Sequence, residues 1–258
     1  MVVISQMFEP LKDWCSGILN ADRWEAPERG FIGHRDILVQ SRARYEFVAP
    51  HVRGSLLDVG CGRGYGFEFL ATRTNAQIGI DISLRFMTEA KKVYPRPFFV
   101  CGKGDAIPLA NHSVDSIIAF EVIEHAENGQ LFLEELRRVA REDALIAIST
   151  PNMIVSSAGS DTPLNRFHHH EYKVDEFRDL LNRVFSSVQL FGQRERLHST
   201  NSRNIIIDRI PIRWKYYLPH LIQTLASIVV RPPLRLDECE FQTDSLDVAS
   251  TFLALCRP

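Results

Sequence analysis

The stretch LLDVGCGRGYG, residues 56–66, decides how this chain reads. An apolar run ends in Asp58, and glycine then occupies positions 60, 62, 64 and 66. Glycine is poorly suited to the middle of a helix or strand, so so bare a backbone marks a turn that something must approach closely. Before it, residues 55–60 have the composition of a short buried strand, and after it residues 67–74 read as a helix. Working outward, strands are predicted at 77–83, 97–102 and 144–150, with helices at 84–94 and 129–140. Over 114–125 a fourth strand passes into a helix. Strand and helix in alternation predict an α/β fold built on a doubly wound, mostly parallel sheet.

After Pro151 the rhythm changes. A polar loop over 152–171 carries three consecutive histidines, followed by a helix at 174–184, a strand at 186–192 and a last strand at 247–257. The expectation is a seven-stranded sheet in one domain spanning 1–258: an N-terminal helical cap (1–54), a core (55–150), a substrate-side loop, helix and strand (151–200), a helical insertion (201–245) and the last strand (246–258). The insertion contains RWKYYLPHLIQTLASIVVR, 213–231, whose apolar residues fall at amphipathic-helix spacing. It reads first as a lid or core helix, then as a homodimer contact, and last as a membrane-surface element.

Composition narrows the class. Apolar residues make up 45% and charged residues 24%, as in ordinary globular enzymes. The formal charge of −2 supplies no global field towards nucleic acid or anionic lipid. Five cysteines without a CxxC pair suggest free thiols in a reducing, cytoplasmic setting. No leader is apparent at the N-terminus, and the most apolar stretch, 216–230, is too short and too interrupted for a membrane span.

A glycine-rich turn after the first strand of such a sheet lies at the crevice where these folds bind ligands. The dinucleotide fingerprint GxGxxG is absent, because Tyr65 stands where the third glycine would fall, which disfavours a nicotinamide dehydrogenase. The pattern is GxGxG preceded by Asp58, and a carboxylate there favours a cationic ligand end. Asp81 closes the second strand, where a carboxylate can accept from both ribose hydroxyls. In GDAIPL, 104–109, Asp105 can take an adenine amino group and the Ala106 amide can donate to a ring nitrogen. An amino-acid end, a ribose and an adenine at successive strand ends describe S-adenosylmethionine.

Over 55–150 the chain resembles class I S-adenosylmethionine-dependent methyltransferases of the type 11 kind, motif by motif: LLDVGCGRGYG, IGIDIS, GDAIPLANHSVDSIIAFEVIEH and LIAISTPN. The resemblance implies a Rossmann-like methyltransferase fold. It assigns cofactor contacts to Gly60, Gly62, Asp81, Asp105 and Ala106, with Tyr45, Asp58, Cys61 and Ile82 beside them. Phe120 and Glu121 fall where such proteins open their substrate mouth.

Glu121, Glu124 and His125 stand at i, i+3 and i+4, which one helical face would gather. Three readings stay open. The carboxylates favour a helix N-terminus and His125 only borders the pocket. Alternatively, His125 is a general base for a hydroxyl acceptor. Or Glu121, Glu124 and His125 hold a divalent metal with a later histidine, His168, His169 or His170, as in the Glu-x-x-Glu-His pattern of small-RNA 2′-O-methyltransferases and some quinone-ring O-methyltransferases. The core Asn165-x-Phe167-His168-x-x-Glu171-Tyr172 is similar to a stretch of methyltransferases linked to bacterial glycan and natural-product pathways, with Arg166 in place of the usual proline. Arg44-Tyr45 before the first strand fits that subgroup too. The resemblance puts His168 on the substrate side, so His125 and His168 are the candidate catalytic pair. A small-molecule acceptor, first a hydroxyl of a sugar, glycan precursor or secondary metabolite, is expected over nucleic acid. A metal-dependent RNA 2′-O-methyltransferase and a non-catalytic cofactor-binding partner protein are the alternatives.

Overall fold

The computed structural model describes residues 33–157, 160–195 and 234–258, and every structural statement below concerns these. The first part of the predicted N-terminal cap, Cys15 and the amphipathic stretch 213–231 lie outside them.

Helix α1 (Gly33–Val48) leads through a short 3-10 turn into β1 (Gly54–Val59). There follow α2 (Phe67–Leu70), β2 (Thr74–Asp81), α3 (Leu84–Val93), β3 (Phe98–Cys101), β4 (Val114–Phe120), α4 (Gly129–Val139) and β5 (Ala140–Pro151). The chain continues through α5 (Met153–Ser156), α6 (Val174–Val184), β6 (Ser187–Glu195), β7 (Cys239–Gln242) and β8 (Thr251–Arg257). The eight strands form one sheet in the order β3-β2-β1-β4-β5-β8-β6-β7. The pairings β3-β2, β2-β1, β1-β4 and β4-β5 are parallel, whereas β8 runs antiparallel to β5 and β6, and β7 antiparallel to β6.

Strand alternation sorts the side chains onto two faces. Leu57 and Val59 of β1 join Ile117 and Ala119 of β4 and Ile146 and Ile148 of β5 in one core, under α4 and α6. Their neighbours Leu56, Ile118, Phe120, Leu145 and Ala147 form the other core, with Tyr45 and Val48 of α1, Phe67 and Leu70 of α2, and Met87 of α3. Asp58 shares the side of Leu56, which aims its carboxylate at α1. The helix starts are locally encoded. Ser83 caps α3 by accepting from the Phe86 amide at 3.3 Å, and Asn128 caps α4 by accepting from the Gln130 and Leu131 amides at 3.0 and 3.1 Å.

Several expectations need correction. The sheet has eight strands, not seven. The added strand, β7, lies inside the segment expected to be a helical insertion, whose described part, from residue 234, forms a 3-10 turn (Leu236–Glu238) and then β7. Four residues are too few to show a period of two, and β7 exists because β6 runs on to Glu195 and offers an edge. Helix α2 is a single turn, since β2 already begins at Thr74. The last strand starts at Thr251, after a 3-10 turn at Leu246–Val248. Among the described residues no helix is long and apolar enough to cross a membrane, and Cys61, Cys239 and Cys256 are free thiols.

Candidate functional site

The strand order reverses between β1 and β4, and in open α/β sheets the crevice at such a switch point is where ligands bind. Both predicted motifs are delivered there: the glycine loop leaves the end of β1, and EVIEH leaves the end of β4. Gly60 and Gly62 have φ of +70° and +53°, which only glycine adopts readily. The Gly60 and Cys61 amides donate to the Ile80 carbonyl at 2.7 and 3.1 Å, tying the turn to β2. A Cβ on Gly62 would meet no atom within 4 Å, so the turn borders open space.

Asp58 and Tyr45 meet beneath this loop. The Tyr45 hydroxyl donates to Asp58 Oδ2 at 3.0 Å, while Asp58 Oδ1 is buried with no hydrogen-bond partner. Burial, with a contribution from the Asp81 charge, pushes the Asp58 carboxyl up to about 7, although the Tyr45 bond opposes the rise. Tyr45 is fixed by edge contacts with Phe120 and Tyr65 at centroid distances of 5.0 and 5.7 Å and by stacking on Phe69 at 6.1 Å. An orphaned, desolvated carboxylate oxygen beside an open glycine turn suits a cationic group such as an ammonium.

Asp81 serves the loop directly. Its Oδ2 accepts from the Gly62 amide and its Oδ1 from the Ser83 amide, both at 2.9 Å. Each oxygen keeps a lone pair for a hydroxyl donor. Ile82 is half-buried beside it, and its carbonyl accepts from Cys101 Sγ. Cys61 is a buried packing residue whose thiol is pushed well up by burial. Asp105 and Ala106 lie exposed after β3. The Ala106 amide, expected to face a ring nitrogen, donates to the Lys103 carbonyl at 3.3 Å within its own turn.

The EVIEH segment does not form one helical face. Glu121 adopts φ of +57°, a strained conformation for a non-glycine residue, and stands outside the 3-10 turn Ile123–His125. Its Oε1 accepts from the Ser149 hydroxyl at 2.7 Å and lies 3.9 Å from Arg44 Nη2. Glu124 points inward, is 1% exposed, and accepts from the Thr150 hydroxyl at 3.1 Å. Burial, aided by the Glu121 charge, holds its carboxyl well above the usual range. Its carbonyl accepts from the amides of His169 and His170 at 2.8 and 3.2 Å, which draws the histidine loop against this turn.

His125 and His168 pack edge to face with centroids 4.8 Å apart. The Nδ1 of His125 lies 2.9 Å from the Phe167 carbonyl and must donate to it, so Nε2 is the nitrogen carrying the lone pair. Burial lowers the His125 pKa below 6.5, which favours the neutral ring. His168 is engaged on both nitrogens: Nδ1 with Glu171 Oε1 at 2.6 Å and Nε2 with the Asn165 amide nitrogen at 2.9 Å. Burial raises the Glu171 carboxyl, but bonds from His168, Ser156 and Ser157 outweigh it and leave it low. His169 and His170 are exposed, the latter bonding Glu176 at 2.6 Å. Tyr172 is buried under α4 and α6. Thus His125 is held through Nδ1 by the Phe167 carbonyl, and His168 packs against it with both of its own nitrogens engaged. One ligand atom from each of Glu124, His125 and His168 lies within 4.8 Å of the others, and Glu121, expected among them, is not in that group.

Sequence reasoning missed Ser149, which bonds Glu121, Gln193, which bonds Arg44, and Tyr65, which packs on Tyr45 and is itself bonded to Ser41. Only Tyr65, inside the glycine motif, offered a local signal.

Residues 57–148 match the methyltransferase-domain family model. The matched segment holds both motifs and runs from β1 into β5. A probable S-adenosylmethionine-dependent methyltransferase of Mycobacterium tuberculosis is 36% identical over 138 residues, 53% of this chain and 50% of that protein. Another from Mycolicibacterium smegmatis is 37% identical over 146 residues, 56% of this chain and 57% of that protein. The chain thus spans about half the length of the curated relatives it matches. A SAM-dependent methyltransferase from Thermotoga maritima shares the fold, with a TM-score of 0.59 at 14% identity over 87% of this chain and 94% of that one. Over the matched segment the chain is similar to S-adenosylmethionine-dependent methyltransferases, and it shares its fold with one of them.

Proposed function

We propose that this protein transfers the methyl group of S-adenosylmethionine to a small-molecule acceptor, first a hydroxyl of a sugar, glycan precursor or secondary metabolite. The observation that carries the reading is the buried, unbonded Oδ1 of Asp58 beside the open turn at Gly62. In this reading Asp58 receives the ammonium, Gly60 and Gly62 allow close approach, Asp81 takes the ribose and Asp105 the adenine. When bound, the cofactor supplies an electrophilic methyl group on a sulfonium. That sulfonium would release its methyl group to the acceptor oxygen and remain as the thioether, while Asp58, Asp81 and the glycine turn would hold the rest of the molecule in place. The acceptor hydroxyl loses its proton to His125 Nε2. Glu121 and Tyr65 border the acceptor.

Two measurements test this. Calorimetry with S-adenosylhomocysteine on the folded protein should detect binding. Because the ammonium needs Asp58 ionised and its pKa is about 7, affinity should rise about tenfold per pH unit from about 5 to 7 and level off above. Asp58→Asn should remove that slope; a flat wild-type profile would count against the ammonium assignment. The linked stability has the opposite sign. A carboxyl whose folded pKa is raised makes the unliganded protein less stable as pH climbs from about 4 to 7.

The clustering of Glu124, His125 and His168 favours a second reading, in which a divalent metal binds there, as in an RNA 2′-O-methyltransferase. The donor set argues against it. Either nitrogen of His168 would have to leave its present partner, and Glu124 would have to give up a favoured proton. At saturating S-adenosylmethionine, turnover is therefore expected to survive a chelator and to fall about 100-fold or more in His125→Ala, and the acid limb that His125 itself contributes to the pH profile should disappear. Loss of activity in chelator, restored by a divalent cation, would select the metal reading instead.

A further inference from the structure

A groove of about 670 Å³ runs between the turn that follows β4 and helix α6. That volume falls in the range of small-molecule sites, about 300–1,000 Å³. Glu127 and the start of α4 form one wall, Glu176, Asp179 and Arg183 of α6 form the other, and His170 and Tyr172 complete the lining. None of these residues is among those assigned to the cofactor.

Tyr172 points a polar atom into this space. The residue is only 4% exposed, its ring packed against Phe177 at a centroid distance of 5.6 Å and edge-on to His170 at 4.6 Å. Its hydroxyl reaches the open side of Gly129, where an added Cβ would fall 2.3 Å from the oxygen. There it has no hydrogen-bond partner among the described residues. A buried hydroxyl left without a partner costs stability that phenylalanine would not lose. A ligand in the groove would supply that partner.

The charges select the ligand. Three carboxylates, Glu127, Glu176 and Asp179, stand against one guanidinium, Arg183. Glu176 is engaged with His170 Nε2 at 2.6 Å, while Glu127 and Asp179 form no ion pair with the described residues. Burial, then the Glu176 and Glu124 charges, push the Tyr172 phenol well up, so it enters as a neutral hydroxyl whose oxygen can accept. An anion would meet like charge. A metal ion fits no better, because among the described residues the groove's carboxylates and imidazoles do not bring three ligand atoms within 4.8 Å of one another. The positive end of α4 opposes a cation only weakly, since Asn128 Oδ1 already accepts from the Gln130 and Leu131 amides. Acceptors spread over two walls suit a cation with N–H donors along its length.

We propose that the groove binds a diamine or polyamine: one ammonium donates to the Tyr172 hydroxyl oxygen, and Glu127 and Asp179 hold the charges from the two walls. This does not rest on the methyltransferase reading.

The test is calorimetry with spermidine, and with tetramethylammonium chloride as a cation without N–H donors. It compares wild type, Tyr172→Phe, the double variant Glu127→Gln/Asp179→Asn, and Glu142→Gln, which removes an exposed carboxylate outside the groove. Wild type should give saturable one-to-one heat with spermidine and none with tetramethylammonium at the same concentration. Tyr172→Phe should bind spermidine about 5- to 10-fold more weakly and, without ligand, melt no lower than wild type. The double variant should lose about 10-fold or more, and, being confined to exposed side chains, it decides the question if Tyr172→Phe does not fold. Glu142→Gln should bind spermidine as wild type does. No saturable heat in wild type overturns the proposal, as does wild-type affinity in Tyr172→Phe or in the double variant. Equal binding of tetramethylammonium, or a loss in Glu142→Gln as large as in the double variant, also overturns it, because the attraction then belongs to the surface as a whole. S-adenosylhomocysteine should bind all four proteins alike; its failure to bind any of them counts against the methyltransferase reading alone.

Discussion

Asp81→Ala will weaken S-adenosylhomocysteine binding by about 100-fold or more, because the carboxylate performs two tasks at once. It accepts from the Gly62 amide, which holds the turn in a conformation with φ of +53°, and from the Ser83 amide at the start of α3. Alanine leaves both amides without these partners and removes the proposed ribose acceptor. Asp81→Asn separates the tasks: one oxygen can still accept from Ser83, while its amide nitrogen opposes the Gly62 N–H, so an intermediate loss is expected. Calorimetry on variants with native circular dichroism makes the measurement. Wild-type affinity in Asp81→Ala would remove the second strand's carboxylate from the site and with it most of the cofactor assignment.

Gly66→Ala is expected to destabilise the protein by about 1–3 kcal/mol, against what helix propensity suggests. Gly66 has ordinary helical dihedrals, φ −58° and ψ −29°, and precedes α2, so alanine there should help by propensity alone. An added Cβ, however, would fall 2.3 Å from Tyr45 Cζ and 2.6 Å from its hydroxyl oxygen. The ring cannot retreat easily, being packed between Phe69, Phe120 and Tyr65. Any shift also pulls the hydroxyl from Asp58. Chemical denaturation should show the loss, and it should shrink when Tyr45 is already alanine, since the clash is then absent. Equal effects of Gly66→Ala in both backgrounds would mean that the loop absorbs the methyl group elsewhere.

Much of the fold was legible because the signals were local. Alternation of short apolar runs with capped amphipathic segments encodes the parallel half of the sheet, and Ser83 and Asn128 act on amides within three residues of themselves. The ends of elements were less legible. Helix α2 stops after one turn because the next strand is paired from Thr74, a decision made by β1. Strand β7 has meaning only against β6, far away in sequence. The site divided in the same way. Asp58, Asp81 and the glycines could be read from their places at strand ends. The idea of one carboxylate–histidine face failed, because a left-handed Glu121 breaks the helix that the spacing implied.

The amino-acid sequence by itself determined the layered α/β architecture, the turn that must be glycine, and the strand ends at which charged groups gather, since all of these follow from periodicity and backbone sterics within short windows. The tertiary structure alone decided which partner each charge meets: Tyr45 rather than water for Asp58, Ser149 for Glu121, Gln193 for Arg44, and the Phe167 carbonyl that sets the His125 tautomer. Burial and hydrogen bonding between distant segments fix those pairings, and the protonation of a carboxylate or imidazole depends on its desolvation and neighbours, which no local pattern of residues specifies.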